Sequence, residues 1–244
     1  MSVSRQRARM LAVPIVFGTI GFIGAGCAPQ YPAYVPPASC AVGTYSATGA
    51  EPCTPAPKGY FVDTVGATAA TPASPGFFVD TTGASAATPA PPGFFVDTAA
   101  AAAASQCLPG SYQPLAGQTS CLLAPIGSYV ALAGQSSATL ASPGYFVPTT
   151  GATAATAASP GFYVDFAGAA AATAAHPGFY VDTAAATAAS ACAPGSYQAL
   201  AGQPSCPLAP IGSYVPFSGQ PAATLCPVGT TTLALGSTSL SDCV

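Results

Sequence analysis

The chain has 244 residues, of which only 5% are charged, and it contains 26 glycines and 27 prolines. Half of the residues are hydrophobic, but many of these are alanines, which bury little area, so a thick core of large side chains is excluded. Beyond residue 27, one lysine faces seven acidic side chains, which disfavours nucleic acid as a partner. The composition excludes an ordinary globular enzyme and favours a thin, repetitive structure.

Residues 1–27 have the layout of an export signal. Arg5, Arg7 and Arg9 precede an apolar run that extends from Met10 to about Gly24. Basic residues followed by a short apolar stretch are typical of secretory signals. We therefore expect an exported protein, extracellular or at the cell surface.

Cys27 ends the apolar run and is a candidate lipidation site. The small residues Ala25 and Gly26 precede it, as in the lipobox of bacterial lipoproteins, although Gly24 stands where a branched residue is usual. The pattern predicts a lipid anchor at Cys27 and attachment to the membrane through it. Ordinary cleavage nearby and an uncleaved anchor are the open alternatives. A Pro/Tyr-rich linker, residues 28–39, follows.

Residues 40–244 are a repeat array. One glycine, called here the first glycine of each unit, recurs with a spacing of 16 once and 17 ten times, so the array has twelve units. Residues 59–143 and 144–228 are duplicated blocks of five units that match at 61 of 85 positions. The first glycines are residues 43, 59, 76, 93, 110, 127, 144, 161, 178, 195, 212 and 229.

Each unit is expected to contain two turns. Seven first glycines follow proline, which predicts type II turns, and a second glycine follows in most units, replaced by Ala100 and Ala185 in two. Two turns leave short extended segments such as 77–79 and 84–88. The predicted fold is all-β: tandem 17-residue repeats of short strands and turns that form an elongated, solenoid-like stack. Alanine runs at 99–104 and 184–189 suggest helix by propensity, but they are too short to form stable helices.

Two neighbouring columns of residues follow the first glycine. Two positions after it, eleven successive units carry Phe or Tyr, and we name this set the aromatic column. The position before it varies between Ser or Thr and an aromatic residue, and we name it the variable column. Neighbours in a strand face opposite ways, so the aromatic column is the expected core and the variable column is expected to be exposed or at a contact surface.

Eight cysteines occupy two fixed phases of the repeat and form four local pairs by spacing. The other units carry alanine at both phases, and no unit is mixed, which indicates two small side chains in contact. Eight cysteines formally allow 105 connectivities, so the pairing stays a hypothesis at this point. The proposed pairs are Cys40 with Cys53, Cys107 with Cys121, Cys192 with Cys206 and Cys226 with Cys243.

The segment from Cys107 to Cys121 resembles the ephrin-receptor-like cysteine-rich repeat. It begins Cys-Leu-Pro-Gly-Ser-Tyr and continues through Gly117 to Ser120 and Cys121. The resemblance implies disulfide-linked extracellular modules of a non-catalytic protein. The 17-residue period and the aromatic column extend the resemblance over the whole array. Cysteines support the resemblance in four of the units. Units without a disulfide must stack on neighbours, with the disulfide-bearing end units as caps.

Few residues of the chain are candidates for catalysis or for cofactor binding. His176 stands at a variable phase, and no second histidine or spare thiol after Cys27 is available for a triad or a zinc site, so the sequence predicts neither an enzyme nor a cofactor. Five aspartates share one phase, named here the aspartate column, which suggests a turn role or, alternatively, a calcium ladder. They are Asp63, Asp80, Asp97, Asp165 and Asp182.

The expected function is that of a non-catalytic structural, adhesive or interaction protein of the cell surface. A low-charge repeated surface offers many copies of one weak contact, and its partners would be envelope or surface proteins or glycans. An ice-binding solenoid is the alternative, because threonines recur at one phase. They are Thr71, Thr88, Thr139, Thr156, Thr173 and Thr224.

Overall fold

The computed structural model describes residues 34–244, so the export signal and Cys27 lie outside the described residues. The repeats belong to one compact unit, Pro37–Val244. It is an all-β repeat structure of small antiparallel hairpins, as the periodicity predicts. A short 3-10 helix, Leu240–Asp242, closes the last unit.

Ten units each form one hairpin of two-residue strands. In the two remaining units, antiparallel bridges take the place of the hairpin, between Ser196 and Leu208 and between Thr232 and Cys243. The hairpins, in chain order, are β1 (Thr44–Tyr45) with β2 (Thr54–Pro55), β3 (Tyr60–Phe61) with β4 (Thr71–Pro72), β5 (Phe77–Phe78) with β6 (Thr88–Pro89), β7 (Phe94–Phe95) with β8 (Ser105–Gln106), β9 (Ser111–Tyr112) with β10 (Leu122–Leu123), β11 (Ser128–Tyr129) with β12 (Thr139–Leu140), β13 (Tyr145–Phe146) with β14 (Thr156–Ala157), β15 (Phe162–Tyr163) with β16 (Thr173–Ala174), β17 (Phe179–Tyr180) with β18 (Ser190–Ala191), and β19 (Ser213–Tyr214) with β20 (Thr224–Leu225).

The turn at the first glycine starts each hairpin. In one unit, the backbone N–H of Phe77 donates to the carbonyl oxygen of Ser74 at 3.0 Å, and Gly76 between them has φ of 89°. Proline then glycine at the centre of such a turn is the type II arrangement that the Pro-Gly pairs predict. The turn places the variable and aromatic columns in the first strand.

The second extended segment lies later in the unit than the sequence predicts. We expected residues 84–88, whereas β6 is Thr88–Pro89 and the alanines before it lie in the loop of the hairpin. The alanine runs at 99–104 and 184–189 are likewise turns and bends without helix. In each of these two units, the second turn falls within the alanine run, which leaves too few residues for a helical nucleus.

Successive units are joined by three recurring backbone hydrogen bonds. Between described residues, such bonds outside the hairpins connect positions no more than 27 apart, so every unit is held by its sequence neighbours, as in a solenoid. For the unit that begins near Gly76 they run from Gly76 N to Val96 O at 2.8 Å, from Val79 N to Ala101 O at 3.0 Å, and from Gly83 N to Ala56 O at 2.7 Å.

The first glycines also touch the unit after next. A Cβ built on Gly161 would overlap the backbone carbonyl oxygen of Gly202, and one on Gly76 would overlap that of Gly117. Second glycines have more room, since a Cβ on Gly117 would find its nearest neighbour at 3.8 Å. The first glycine is therefore required by close backbone approach. Most second glycines are required only by their positive φ, which Ala185 also adopts at 56°. Gly49 is the exception, because a Cβ there would overlap the carbonyl oxygen of Gly66.

The core corrects one sequence prediction. The buried columns are the small residue three positions before each first glycine, such as Ala158, and the valine three positions after it, such as Val164. The aromatic column, expected as the core, is half-buried along its whole length. Because the strands have two residues and the backbones lie this close, these columns hold alanine, cysteine and valine in most units, whereas the larger rings of the aromatic column stay partly exposed.

The aromatic column still contributes to the contact between units. Ala158, Val164 and Ala169 form a buried cluster within one unit, and Phe146 of the preceding unit packs against it. The ring of Phe146 therefore covers the core of the following unit in part.

Candidate functional site

The disulfides of the structure are the four pairs that the cysteine spacing predicts. They have Cα to Cα distances of 5.7 to 5.8 Å. Cys107 and Cys192 are fully buried at the phase where Ala158 is fully buried in a unit without cysteines, while their partners are half-buried like Ala172. Cysteine and alanine pairs thus occupy equivalent environments. Disulfides form in oxidising compartments, so the pairs are consistent with an extracellular protein.

Two disulfide-bearing units replace the buried valine with glutamine. Gln113 donates from Nε2 to the carbonyl oxygen of Ser120 at 2.7 Å, and its Oε1 accepts from the backbone N–H of Leu115 at 3.2 Å. Gln198 makes the equivalent bonds in the other block. Because both polar ends are satisfied within the unit, the amide serves as an internal brace of the hairpin loop and is not available to a ligand.

Shallow clefts recur where two adjacent units meet. One, of about 280 Å³, is lined by Tyr163 and Asp165 of one unit and by His176 and Phe179 of the next, with residues 187–189 beyond them. The lining combines two aromatic rings with one carboxylate. The cleft is therefore partly apolar and partly anionic.

An equivalent cleft lies in the first block. It has a volume of about 320 Å³, and its lining includes Phe61 and Asp63 of one unit and Ser74 and Phe77 of the next. The residues hold the same phases of the repeat as those of the cleft at Asp165. The duplication therefore repeats a surface feature as well as a fold.

A third cleft, of about 270 Å³, shows what the aspartate adds. Tyr129, Ser142 and Tyr145 line it at the same phases, but Ala131 stands at the position of the aspartate column. The aromatic framework is thus formed without the carboxylate. The aspartate changes the charge of the cleft and leaves its construction intact.

The aromatic side chain from the variable column is held by the unit after next. The Cζ atom of Phe77 lies 4.0 Å from where a Cβ on Gly117 would stand, and Phe179 lies at 3.8 Å from the corresponding point on Gly219. These rings are 38% and 37% exposed, so each is supported on one side and open to solvent on another. These aromatic members of the variable column therefore lie at a contact surface, one of the two outcomes expected from the sequence. The serines of the column are instead buried, which the sequence did not predict: Ser111, Ser128, Ser196 and Ser213.

The aspartate column is exposed along its length and lacks the turn role expected of it. None of its five carboxylates makes a side-chain hydrogen bond within residues 34–244, whereas Asp242 accepts from the backbone N–H of Thr238 and Ser239. The column therefore presents free carboxylates, several of them beside aromatic rings.

The described residues also bear on metal binding and on membrane insertion. No group of three or more His, Cys, Asp or Glu side chains within residues 34–244 is placed to hold a metal ion. His176 is exposed and lines the cleft beside Asp165. In the part of the chain that the structure describes, no helix is long and apolar enough to cross a membrane.

Sequence reasoning found the disulfide pairs but not the clefts. It treated the aspartate and variable columns separately, because their members are 14 residues apart and belong to different units. The available signal was that an aspartate is followed by an aromatic residue at the next variable position in three units and by serine in two. The chain matches no protein family model, and the comparison with curated proteins finds no similar protein.

Proposed function

We propose that this chain is an exported, non-catalytic interaction protein of the cell surface that binds a repetitive partner through many weak, equivalent contacts. The observation that supports this function is the recurrence of one cleft type at equivalent junctions of both blocks. A shallow cleft contributes little affinity alone, whereas several on one rigid array raise avidity by about 10² to 10⁴ when the partner is also repetitive.

The ephrin-receptor-like resemblance belongs to the same proposal. Disulfide-linked modules with a fixed turn and aromatic residue would serve as a scaffold, and the units without cysteines would extend it. The clefts lie between units, so the scaffold itself would generate the binding surface. Envelope or surface proteins and glycans are the partners that such a surface would meet.

Deleting one duplicated block tests multivalent binding. Removal of residues 59–143 keeps the 17-residue register, because residue 144 then follows residue 58 as residue 59 does in the intact chain. Beads coated with the shortened chain should lose more than about tenfold in adhesion to envelopes of the producing cell, since avidity depends steeply on the number of contacts. A loss of only half, or no adhesion by either form, would contradict the proposal.

Lipid attachment through Cys27, which lies outside the described residues, remains a separate prediction. Replacing Cys27 with Ser should move the protein from the detergent fraction to the soluble exported fraction. A control variant, Ser39→Ala, changes an exposed residue at the end of the linker and should leave the distribution unchanged. An unchanged membrane fraction in Cys27→Ser would reject lipidation and leave an uncleaved anchor as the explanation.

An ice-binding solenoid is the second candidate. The observation that favours it is that the recurring threonines, for example Thr71 and Thr156, are all exposed and lie opposite aromatic residues in the hairpins. Recrystallisation of ice in the presence of the purified chain tests it. Growth at the rate seen with an inert protein would remove this candidate.

A further inference from the structure

Acidic side chains outnumber basic ones in the described part of the chain. Lys58 and His176 are the only basic side chains among residues 34–244, against seven acidic ones. The carboxylates of the aspartate column are exposed and make no side-chain hydrogen bond. A cationic group arriving from outside would therefore meet a carboxylate without a side-chain hydrogen bond at each such cleft, beside Ser74 in the cleft at Asp63 and beside the imidazole of His176 in the cleft at Asp165.

The aromatic rings beside these carboxylates favour organic cations such as ammonium and guanidinium groups. An ammonium or guanidinium group is attracted to the face of an aromatic ring as well as to a carboxylate, and binding at a solvent-exposed ring is worth a factor of roughly 2 to 5. The walls of the clefts at Asp63 and Asp165 each include two rings and one carboxylate. Volumes of about 280 and 320 Å³ leave room for one long side chain.

We propose that these clefts bind the guanidinium or ammonium groups of arginine and lysine side chains on a basic segment of a partner protein. This inference deepens the proposed binding function and rests on it. A polypeptide that carries several basic side chains suits an array that repeats the cleft, whereas an isolated small cation would use only one cleft at a time. The acidic character of the whole array would also attract a basic segment before contact.

The aspartate column has two kinds of member, which differ in the residue at the variable position of the next unit. Asp63, Asp80 and Asp165 are each followed by an aromatic residue at the variable position of the next unit. Asp97 and Asp182 are instead followed by Ser111 and Ser196. All five aspartates are exposed. Two sets of aspartates therefore differ in the second ring and match in exposure.

The test is a titration of the exported chain with Nα-acetyl-arginine amide, followed by NMR of the tyrosine and phenylalanine ring signals. We expect ring signals of Phe61, Phe77, Tyr163 and Phe179 to shift. The neutral isostere Nα-acetyl-citrulline amide should bind at least about two- to fivefold more weakly, because it keeps the shape and loses the charge.

Two double variants with equal change of charge provide the control. Asp80→Asn with Asp165→Asn should abolish the shifts at Tyr163 and Phe179 and leave those at Phe61 and Phe77, whose aspartate is intact. Asp97→Asn with Asp182→Asn should leave all four unchanged. Equal loss in both variants would overturn the proposal, because net charge alone would then explain binding.

Other occupants give distinct results in the same titration. If choline shifts these rings more strongly than the arginine and lysine derivatives, a headgroup cation replaces the basic side chain as the occupant and the inference is wrong. If methyl glucoside shifts them more strongly than any cation, the clefts bind glycans and the inference is equally wrong. Because these measurements use no cells, loss of cell adhesion in the block deletion would test the proposed function separately.

Discussion

At the scale of single residues, the close approach of backbones determines which side chains are allowed. The first glycines from Gly43 to Gly195 combine a positive φ with a carbonyl oxygen of the unit after next where a Cβ would stand. The second glycines share the positive φ, but from Gly66 onwards the nearest atoms to a built Cβ are side chains or lie at least 3.4 Å away, and Ala100 and Ala185 replace them in two units. Two glycine columns that look alike in the sequence thus have different physical causes.

A matched pair of substitutions separates these causes. Gly161 and Gly229 both have φ of 91°, but a Cβ on Gly161 would overlap the carbonyl oxygen of Gly202, whereas Gly229 has no heavy atom within 4 Å of that point. Gly229→Ala should cost only the conformational strain, about 1–2 kcal/mol. Gly161→Ala should cost about 1–3 kcal/mol more from overpacking. Denaturant midpoints of the two variants provide the measurement, and equal losses would contradict the close approach.

At the scale of the hairpin, the two strands compensate each other in size. The variable column pairs with the last residue of the second strand, and all four of its serines face a leucine, as Ser128 faces Leu140. Its aromatic members face alanine or proline, as Phe162 faces Ala174, except where Phe94 faces a glutamine. The large member of the pair lies on the second glycine two units away. One large side chain per pair covers that turn.

Exchanging the members of one pair tests this compensation. Ser128→Phe should overpack against Leu140, and Leu140→Ala should uncover Gly168, where a leucine Cδ lies 3.0 Å from the position of a Cβ. Together they reproduce the pair Phe162 and Ala174, so the double variant should recover about 1–3 kcal/mol of the summed loss in free energy of unfolding.

A control cycle uses a leucine outside the pair. Leu132 belongs to the same unit and is 67% exposed. Ser128→Phe combined with Leu132→Ala should give additive changes in the denaturant midpoint. Coupling in the control, or its absence in the pair with Leu140, would show that size compensation does not explain the pattern.

The equivalence of cysteine and alanine pairs permits a new disulfide. Ala158 and Ala172 occupy the two cysteine phases, and Ala172 packs against the cluster that contains Ala158. Replacing both with cysteine should form a disulfide on export and raise the free energy of unfolding by about 3 kcal/mol under oxidising conditions. Peptide mapping without reduction detects the bond. Moving the second cysteine to the exposed Ala171 provides the control, which should stay unlinked.

At the scale of the whole array, every unit depends on its neighbours. Hydrogen bonds join adjacent units, and first glycines contact the unit after next. Ordering one 17-residue unit costs on the order of 17–34 kcal/mol of backbone entropy, far more than one half-buried ring or one disulfide returns, so a unit without neighbours cannot fold. The last unit adapts the pattern: the Oγ1 atom of Thr232 accepts from the N–H of Gly212 at 2.9 Å, where the carbonyl oxygen of a valine or a glutamine accepts in other units.

Hydrogen exchange should reveal this dependence between neighbours. Phe146→Ala removes a half-buried ring from the cluster of the following unit and should cost roughly 1–2 kcal/mol. Exchange should accelerate at the amide of Val164 as well as at that of Val147. Asp165→Asn, which changes an exposed side chain without hydrogen bonds, should cost less than about 0.5 kcal/mol and leave exchange unchanged. A larger effect of Asp165→Asn would contradict the assignment of the stacking contact.

The sequence alone determined the features that depend on local chemistry. Recurring proline and glycine predict turns because each residue restricts or widens φ directly, and the joint choice of cysteine or alanine indicates a contact within one unit. The period, the all-β class and the four disulfide pairs follow from these local rules. Each requires only residues that are close together in the chain.

Only the tertiary structure decided which side chains are buried between the stacked units. Ring size favours the aromatic column as core, but the spacing between backbones in the stack favours alanine, cysteine and valine there, with a buried glutamine in place of the valine in two units. That spacing arises from contacts between units, and no single unit encodes it. The clefts have the same origin, because Asp165 and Phe179 belong to different units and become neighbours only when the units stack.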